Sequence, residues 1–285
     1  MRARFVDAGG IRTRILHEGD GDPLILLHGV GFSADIFLRN IDALAADRQV
    51  IALDMPNHGF TDLVAYHGKL PQVLFAEHTL AVADALGLQR FSIAGSSLGA
   101  HVAALVYFAA PARVDRLSII GSGSALSSEA ELLESLPRTF ANGMKAIADP
   151  TWESCRTRIG NICFDPQAVP DEVILSQLTS YARPGMAAAY EATLKGMMDI
   201  GLLRPHRILD RLEEIAVPTQ LLWGRQDIRS RLENAQAAAL RIRNCELVVL
   251  EECGHLPYAE LPEQFNRAVD AFLRREKQGQ TTFFA

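Results

Sequence analysis

The sequence has little cysteine and no excess of positive charge. Its 285 residues include four cysteines, and none of them stands in a CxxC spacing. This usage predicts reduced thiols rather than a disulfide framework or a zinc site, although a bridge between Cys155 and Cys163 stays open. The formal net charge is −6, and no long cluster of lysine and arginine offsets it. Nucleic acids and anionic membrane surfaces are therefore not expected partners.

Long apolar runs and cofactor motifs are also missing. No run approaches the roughly 18 apolar residues that a membrane-spanning helix needs, and the start, MRARFVDAGG, lacks the apolar core of a secretory signal. We therefore expect a cytoplasmic protein that acts on a small-molecule substrate. There is no HExxH pattern, no GxGxxG after the first strand and no phosphate loop, so we expect no metal and no cofactor. A homo-oligomer stays open.

Short apolar segments alternate with helical patterns up to Gly121, in a chain that is 48% hydrophobic and 22% charged. Repeated β-α-β units of this kind predict an α/β fold with a mostly parallel sheet and helices on both faces. Ser33 is a candidate N-cap for a helix that runs to about Ala46. The predicted strands are 13–18, 24–28, 49–54, 91–95 and 116–121, and two further helices are predicted at 72–86 and 98–110.

The pattern changes after Gly121. Helical patterns without a convincing buried strand follow, and strand signals resume at 219–224 and 245–251, before a last helix at 262–275. We therefore expect a core formed by residues 1–121 and 217–285. It is interrupted by a helical cap, residues 122–216, over the strand ends where open parallel sheets bind ligands. The tail, residues 276–285, is expected to fray.

The sharpest chemical signal is a G-x-S-x-G motif, Gly95-Ser96-Ser97-Leu98-Gly99, between a predicted strand and a predicted helix. A tight turn at this place needs small residues two positions on either side of a nucleophile, which then stands exposed at the helix N-terminus. Ser97 is the candidate nucleophile because it lies at the centre of the glycine frame. Ser96 is the competing hydroxyl, and an ordinary turn rich in small residues is the alternative.

A serine nucleophile needs a base, and the base needs an orienting acid. His255 follows the last predicted strand, where a loop can return it to the strand ends, and we assign it as the base. Asp227 follows the strand at 219–224 and is assigned as the acid. The alternatives are a loop histidine without a role and an aspartate that caps the next helix.

Three other histidines lie near the same sheet edge or helix. His28 ends a buried strand and is expected to make structural hydrogen bonds, and His58 is a rival base in a nearby loop. His101 lies one helical turn beyond Ser97. It is expected to pack or to line the pocket, because a side chain on the same helix cannot easily reach back to the serine.

The oxyanion formed on attack needs preorganised donors. The N–H of Leu98 directly follows the nucleophile, and the N–H of Val30 lies in the glycine-rich loop after the strand at 24–28. We assign these two groups as the oxyanion hole, although the glycines of that loop also permit a plain tight turn. The run at 54–59, DMPNHG, is predicted to form a loop at the pocket rim rather than a metal site.

Motifs spread along the whole core resemble the α/β-hydrolase superfamily. The resemblance implies that architecture and a two-step hydrolysis through Ser97, Asp227 and His255, which stand in the chain order described for the fold. The matching segments are His28-Gly29, Asp54 to Asp62 (DMPNHGFTD), the serine motif, Val217-Pro218, Leu222 to Asp227, and Gly254-His255 followed by Glu260.

Within the superfamily the chain is similar to the capped group of carbon–carbon bond hydrolases of aromatic degradation, small esterases and enol-lactonases. The stretch 181–185, YARPG, resembles the carbon–carbon hydrolases. Three features depart from them: Ser96 replaces an asparagine, Leu256 replaces a tryptophan, and a substrate-binding cap arginine falls near Gln177. A serine at the nucleophile position argues against haloalkane dehalogenases and epoxide hydrolases, which use aspartate.

The expected activity is hydrolysis of a small, largely apolar ester or lactone through an acyl-enzyme. One alternative keeps the triad and cleaves a carbon–carbon bond in an aromatic ring-cleavage product. Another is a non-catalytic ligand-binding protein or a cofactor-free oxygenase on the same fold. Met186, Met197 and Phe164 are expected either to shape an apolar lid or simply to pack.

Overall fold

A central β-sheet organises the computed structural model, which describes residues 1–275 and 282–284. The strands are β1 (Arg2–Ala8), β2 (Ile11–Glu18), β3 (Pro23–Leu27), β4 (Gln49–Leu53), β5 (Phe91–Ser96), β6 (Val114–Ile120), β7 (Thr219–Gly224), β8 (Cys245–Leu250) and β9 (Thr282–Phe284). Their order in the sheet is β1-β2-β4-β3-β5-β6-β7-β8-β9. The pairs β1–β2 and β2–β4 are antiparallel, and the remaining pairs are parallel.

Helices connect most of the strands. The α-helices are α1 (Ile41–Leu44), α2 (Pro71–Ala85), α3 (Leu98–Ala109), α4 (Gly123–Leu126), α5 (Glu129–Ala148), α6 (Trp152–Gly160), α7 (Asp171–Tyr181), α8 (Met186–Met197), α9 (Ile200–Leu203), α10 (Leu232–Ala239), α11 (Pro257–Glu260) and α12 (Pro262–Arg274). Short 3-10 helices lie at Ala34–Phe37, Pro111–Arg113, Arg204–His206 and Leu209–Glu214.

The central strands are apolar along nearly their whole length because helices cover both faces of the sheet. All six residues of β7 are buried, as are four of the five in β3 and in β4. One apolar cluster includes Phe75 of α2 and Trp223 of β7, and a second includes Tyr258 of α11 and Phe265 of α12. The prediction of an α/β fold with a mostly parallel sheet is confirmed.

The helix predicted from Ser33 to Ala46 is wrong. A 3-10 turn at Ala34–Phe37 and the short helix α1 replace it. The Ser33 hydroxyl donates to Asp35 at 2.6 Å instead of capping a helix, and the Ala34 N–H donates to Asp54 at 2.7 Å. The Asp35 carboxylate also pairs with Arg14. These contacts with distant residues override the local helical preference of the segment.

Both outer strands of the sheet were missing from the prediction. β1 is a largely exposed edge strand that pairs with β2, so it lacks the apolar run that marks a buried strand. In the tail that was expected to fray, Thr282–Phe284 instead forms β9 and pairs with β8. The other tail residues, 276–281 and 285, lie outside the described part of the chain.

Every element described between β6 and β7 is helical, and we call residues 123–214 the inserted helices. All four cysteines, which lie within residues 1–275, are unpaired thiols, including Cys155 and Cys163. Within the described residues, none of the helices combines the length and the apolar character needed to cross a bilayer.

Four buried histidines predict that acid destabilises the fold. Burial lowers the pKa of His28, His78 and His101 to about 4 and that of His58 to about 3, whereas an unfolded histidine titrates near pH 6.5. Below about pH 6.5 the unfolded chain therefore binds more protons. The free energy of unfolding should fall steadily as the pH is lowered from about 6.5 to about 4.

Urea denaturation between pH 7.5 and pH 4.5 measures this slope. The slope of the unfolding free energy against pH is proportional to the number of protons that the chain takes up on unfolding. The variant His78→Gln should lower that number by up to one, because His78 is buried beside Thr13. The same change at the exposed His67 is the matched control and should leave the slope as it is. An equal slope in wild type and His78→Gln would contradict this account.

Candidate active site

Ser97 lies on a strained turn between β5 and α3. Its backbone has φ 54° and ψ −113°, a conformation that non-glycine residues rarely adopt. The turn is tight enough that a Cβ atom on Gly95 would overlap the Gly99 carbonyl, and one on Gly99 would overlap the Leu27 carbonyl. The two positions therefore require glycine because the backbone approaches too closely for a Cβ atom. This requirement explains why the serine motif has a glycine two positions on either side of Ser97.

His255 and Asp227 form a buried pair next to Ser97. The Nδ1 atom of His255 lies 2.8 Å from Oδ2 of Asp227, and their side chains are 7% and 1% exposed. His255 lines the same cavity as Ser97. No direct hydrogen bond joins these two side chains in residues 1–275; such contacts often tighten only when substrate binds.

The Asp227 carboxylate is held by more than the histidine. Its Oδ1 atom accepts the backbone N–H of Arg229 at 2.7 Å and that of Ser230 at 3.1 Å, and Oδ2 accepts the Ser230 hydroxyl. Trp223 fixes Ser230 in turn, since its indole N–H donates to the Ser230 carbonyl at 2.9 Å. This network fixes the orientation of the acid that faces His255.

Glu260 holds the loop that carries His255. Its carboxylate accepts the backbone N–H groups of Gly254 at 3.0 Å and Leu256 at 2.9 Å, on either side of the histidine. The N–H of His255 itself donates to the Ile162 carbonyl at 2.9 Å. The position of the imidazole therefore depends on both the core and the inserted helices.

The peptide that carries the Val30 N–H is oriented by His28. The Gly29 carbonyl accepts from Nδ1 of His28 at 2.8 Å and from the Phe32 N–H at 3.2 Å. A planar trans peptide points its N–H opposite to its carbonyl, so these bonds fix the direction of the Val30 N–H. Nε2 of His28 accepts the Met55 N–H at 3.1 Å, and burial keeps the ring neutral by lowering its pKa to about 4.

The inserted helices also hold this loop, through two carbonyl groups. Nη2 of Arg158 donates to the Val30 carbonyl at 2.7 Å, while Gln177 and Tyr181 each donate to the Gly31 carbonyl at 3.0 Å. Gly31 has φ 75°, and a Cβ there would lie 2.5 to 2.8 Å from polar atoms of Arg158, Tyr181 and Tyr190. Only glycine fits this position.

A cavity of about 90 Å³ lies over Ser97, between the strand ends and the inserted helices. Its lining contains two arginines and neither aspartate nor glutamate. The lining residues are Gly29, Val30, Phe32, Ser97, Leu98, Gly123, Ser124, Leu132, Ser135, Leu136, Thr139, Asn142, Gly143, Arg158, Ile162, Tyr190, Met197, Arg229, His255, Leu256 and Tyr258.

Arg158 is the main functional candidate that the sequence reasoning missed. It is only 5% exposed, yet its Nε and Nη1 atoms have no hydrogen-bond partner among the described residues. Its guanidinium lies 4.6 Å from the centre of the Phe32 ring. The sequence contains a signal for this residue: Arg158 lies on the buried face of α6 with Cys155 and Ile159. A charged side chain is not needed for packing at such a position, so its presence there indicates a function.

Gln177, where the resemblance had suggested a substrate-binding cap arginine, does not line the cavity. Met197 lines it, whereas Met186 is buried outside the lining and Phe164 is 48% exposed. The 54–59 loop is also absent from that lining, and its Asp54 is buried, where it pairs with Arg14.

The competing side chains have other partners. The Ser96 hydroxyl is buried and lies 3.0 Å from the Tyr258 hydroxyl, and the buried ring of His58 lies 2.9 Å from the Pro56 carbonyl. Nε2 of His101 lies 3.0 Å from the His206 carbonyl, so this ring packs, as predicted. Within the described residues, no group of three or more His, Cys, Asp or Glu side chains is placed to hold a metal ion.

Comparison with known proteins identifies the fold family. Residues 24–268 match the model of the alpha/beta hydrolase family. The chain belongs to this family. It is 30% identical to the 2-hydroxy-6-oxononadienedioate/2-hydroxy-6-oxononatrienedioate hydrolase of Burkholderia vietnamiensis over 278 residues, which cover 94% of this chain and 93% of that protein. The family membership and this relative identify the chain as a hydrolase.

Two further similarities differ in their chemistry. The chain is 31% identical, over 95% of its length, to the dihydrolipoyllysine-residue acetyltransferase component of the acetoin cleaving system of Pseudomonas putida, of which it spans 66%. Among solved structures, the meta-cleavage product hydrolase CumD of Pseudomonas fluorescens IP01 superposes with a TM-score of 0.78 at 25% identity. The superposition covers 95% of this chain and 97% of that one.

Removal of the Ser230 hydroxyl should weaken the acid–histidine pair. We expect Ser230→Ala to slow labelling of Ser97 by a fluorophosphonate about tenfold, because a hydrogen bond to a charged group contributes about 1.5–3 kcal/mol and Oδ2 of Asp227 loses one of the two groups that hold it beside His255. Stopped labelling with gel readout measures the rate. Ser124→Ala is the control, since Ser124 lines the same cavity but does not contact Asp227. Equal rates in the two variants would contradict the role of Ser230.

Proposed function

We propose that this hydrolase cleaves a carbon–carbon bond in a 2-hydroxy-6-oxo-dienoate, the kind of acid that forms when an aromatic ring is opened. The observation that carries the proposal is Arg158, a buried guanidinium with unpartnered nitrogen atoms in the cavity above Ser97. The names of the relative from Burkholderia vietnamiensis and of CumD support it. The expected small, apolar ester or lactone is less well supported.

A buried arginine favours an acidic substrate because arginine stays charged in proteins. A guanidinium removed from water is costly unless an anion pairs with it. Val30 satisfies one of its nitrogen atoms, and Phe32 provides a ring face. The remaining donors match a carboxylate, which binds arginine through two parallel hydrogen bonds. A small apolar ester would leave them unpaired.

The proposed reaction begins with attack on the ketone. The dienol first takes its keto form, in which the hydroxyl proton has moved to carbon 5. The Ser97 hydroxyl then attacks carbon 6 while His255, oriented by Asp227, accepts the serine proton. The N–H groups of Val30 and Leu98 stabilise the resulting oxyanion. The first N–H of a helix lacks an intrahelical acceptor, so Leu98 can supply such a donor.

Cleavage then requires a place for the electron pair. When the bond between carbons 5 and 6 breaks, the pair moves from carbon 5 through the double bond to the oxygen on carbon 2, and His255 returns a proton to give the dienol acid. Arg158, beside the carboxylate, stabilises the charge that develops on that oxygen. Water, activated by His255, finally releases the acyl group from Ser97 as a second acid.

The inserted helices complete this site. We propose that residues 122–216 are a cap on a core of residues 1–121 and 217–285. Arg158 of α6 and Gln177 of α7 contact the loop after β3, and the Ile162 carbonyl contacts His255. The cap therefore supplies both the substrate carboxylate contact and part of the support for the reacting groups.

Ser97→Ala tests the nucleophile. Hydrolysis of 2-hydroxy-6-oxo-6-phenylhexa-2,4-dienoate, 2-hydroxy-6-oxonona-2,4-dienedioate, nitrophenyl esters and lactones is followed by absorbance in both proteins. The wild type should prefer a dienoate, and the variant should lose on the order of 10⁴ to 10⁶ in kcat. If the wild type prefers an ester, the result would favour ester hydrolysis over carbon–carbon bond hydrolysis. No turnover of the panel, or activity that survives Ser97→Ala, would favour a binding protein or an oxygenase.

Arg158→Gln tests the carboxylate contact. We expect kcat/KM for the dienoates to fall about 100-fold, because the charged pair with the substrate is lost. The kcat/KM for a neutral nitrophenyl ester should fall much less. The ratio of kcat/KM for a dienoate to kcat/KM for the ester therefore distinguishes loss of carboxylate binding from damage to the Val30 loop. Arg156→Gln, on the same helix and paired with Asp171, is the matched control. An unchanged ratio in Arg158→Gln would refute this role.

A further inference from the structure

The hydroxyl of Tyr190 is a buried polar group that the proposed reaction does not yet use. Tyr190 lies on α8 and is only 1% exposed, and its hydroxyl has no hydrogen-bond partner among the described residues. A buried hydroxyl without a hydrogen bond destabilises a fold, whereas a phenylalanine would fill the same space without this cost. Tyr190 lines the cavity above Ser97. We therefore expect the hydroxyl to bind a group that enters the cavity.

Two glycines leave open the space that this hydroxyl occupies. A Cβ atom on Gly143 of α5 would overlap the Tyr190 hydroxyl oxygen, and a Cβ atom on Gly31 would lie 2.8 Å from it. A side chain at either position would therefore displace the hydroxyl. Gly143 stands inside a helix, where glycine is less favourable than alanine. The packing thus makes room for a hydroxyl that the fold itself does not need.

Neighbouring rings fix the direction of the Tyr190 side chain. The ring of His58 lies edge-on to it at a centroid distance of 6.5 Å, and the ring of Tyr181 is tilted against it at 5.8 Å. Because the tyrosine ring is enclosed, its hydroxyl cannot turn towards solvent. The oxygen therefore keeps one position at the cavity wall, as a preorganised donor does.

The hydroxyl is a direct neighbour of the Arg158 guanidinium. Nη2 of Arg158 lies 2.5 Å from the point that a Cβ atom on Gly31 would occupy, and the Tyr190 oxygen lies 2.8 Å from the same point. A phenol oxygen can accept from a guanidinium and still donate its own proton. When a carboxylate pairs with Arg158, the atoms next to that carboxylate therefore meet an O–H donor. In a 2-hydroxy-dienoate the polar atom at this place is the oxygen on carbon 2, because carbon 2 is bonded to the carboxylate carbon.

We propose that Tyr190 is a further catalytic residue, whose hydroxyl donates a hydrogen bond to the oxygen on carbon 2. This inference rests on the proposed carbon–carbon bond hydrolysis. When the bond between carbons 5 and 6 breaks, the electron pair reaches that oxygen and makes it an anion. The proton stays on the Tyr190 oxygen, and its hydrogen bond to the anion is stronger than its bond to the neutral ketone. Tyr190 therefore stabilises the charge that must develop for the bond to break.

Tyr190→Phe tests this role, because it removes the hydroxyl and keeps the ring. We expect the single-turnover rate of cleavage of 2-hydroxy-6-oxo-6-phenylhexa-2,4-dienoate, followed by stopped-flow absorbance, to fall about 10- to 100-fold. The rate for a neutral nitrophenyl ester should be unchanged, because its cleavage places no charge on an oxygen beside a carboxylate. An unchanged rate for the dienoate, or an equal loss on both substrates, would overturn the proposal.

Two other tyrosines provide the controls. Tyr66→Phe removes a hydroxyl that bonds to Thr193 of the same helix, outside the cavity lining, and should leave both rates unchanged. Tyr181→Phe removes a donor to the Gly31 carbonyl and should slow both substrates alike, because the loop after β3 serves the oxyanion in both reactions. If Tyr190→Phe behaves like Tyr181→Phe, its hydroxyl only supports the loop and the proposal is wrong. Thermal melting verifies that each variant is folded.

A binding measurement separates this inference from the reaction itself. If the wild type cleaves neither dienoate of the panel, the proposed function fails, and calorimetry on Ser97→Ala with 2-oxooctanoate and octanoate decides the contact of Tyr190. We expect 2-oxooctanoate to bind at least about fivefold more tightly than octanoate, and this advantage to disappear in Ser97→Ala/Tyr190→Phe. Equal affinities of the two acids, or an advantage that survives the loss of the hydroxyl, would show that Tyr190 does not recognise this oxygen.

Discussion

The hydrogen bond from the Arg158 guanidinium to the Val30 carbonyl joins the two parts of the molecule. It fixes the loop after β3, and it brings a cation into the cavity above Ser97. Gln177 and Tyr181 extend the same junction to the Gly31 carbonyl. The strand ends therefore place Ser97 and Asp227, whereas His255, whose N–H donates to the Ile162 carbonyl, and the finished site also require the inserted helices to pack on the strand ends.

The charge of the site is opposite to the charge of the whole protein. The chain carries a formal net charge of −6, so its long-range field does not attract an anion. The cavity lining holds two arginines and no acidic side chain. Attraction is therefore confined to short range, where buried charges are screened little by salt. The proposed acidic substrate would therefore be held by contact with particular side chains rather than by general steering.

The sequence was sufficient to select Ser97, Asp227 and His255, which the structure brings close together, and insufficient for the surroundings of these residues. Gly95 and Gly99 stand where the backbone is too close for a side chain, so the motif encodes the turn that positions Ser97. Asp227 and His255 each follow a strand that the apolar pattern reveals. Arg158 does not follow a strand; the sequence marks it only as a cation on the apolar face of α6, and its contact with Val30, 128 residues distant in the chain, is visible only in the structure. The failed helix after Ser33 has the same cause: Arg14 and Asp54 determine that segment from afar.

The crowding over Gly31 couples positions that are far apart in the sequence. Polar atoms of Arg158, Tyr181 and Tyr190 converge on the place that a Cβ atom would occupy. A larger residue at position 31 is compatible only with the loss or displacement of all three. During divergence these four positions are therefore expected to covary, so that a side chain at position 31 in a related sequence signals a differently built cavity. The glycine at position 31 is thus a marker in the sequence for a packing arrangement that is formed by three helices, α6, α7 and α8.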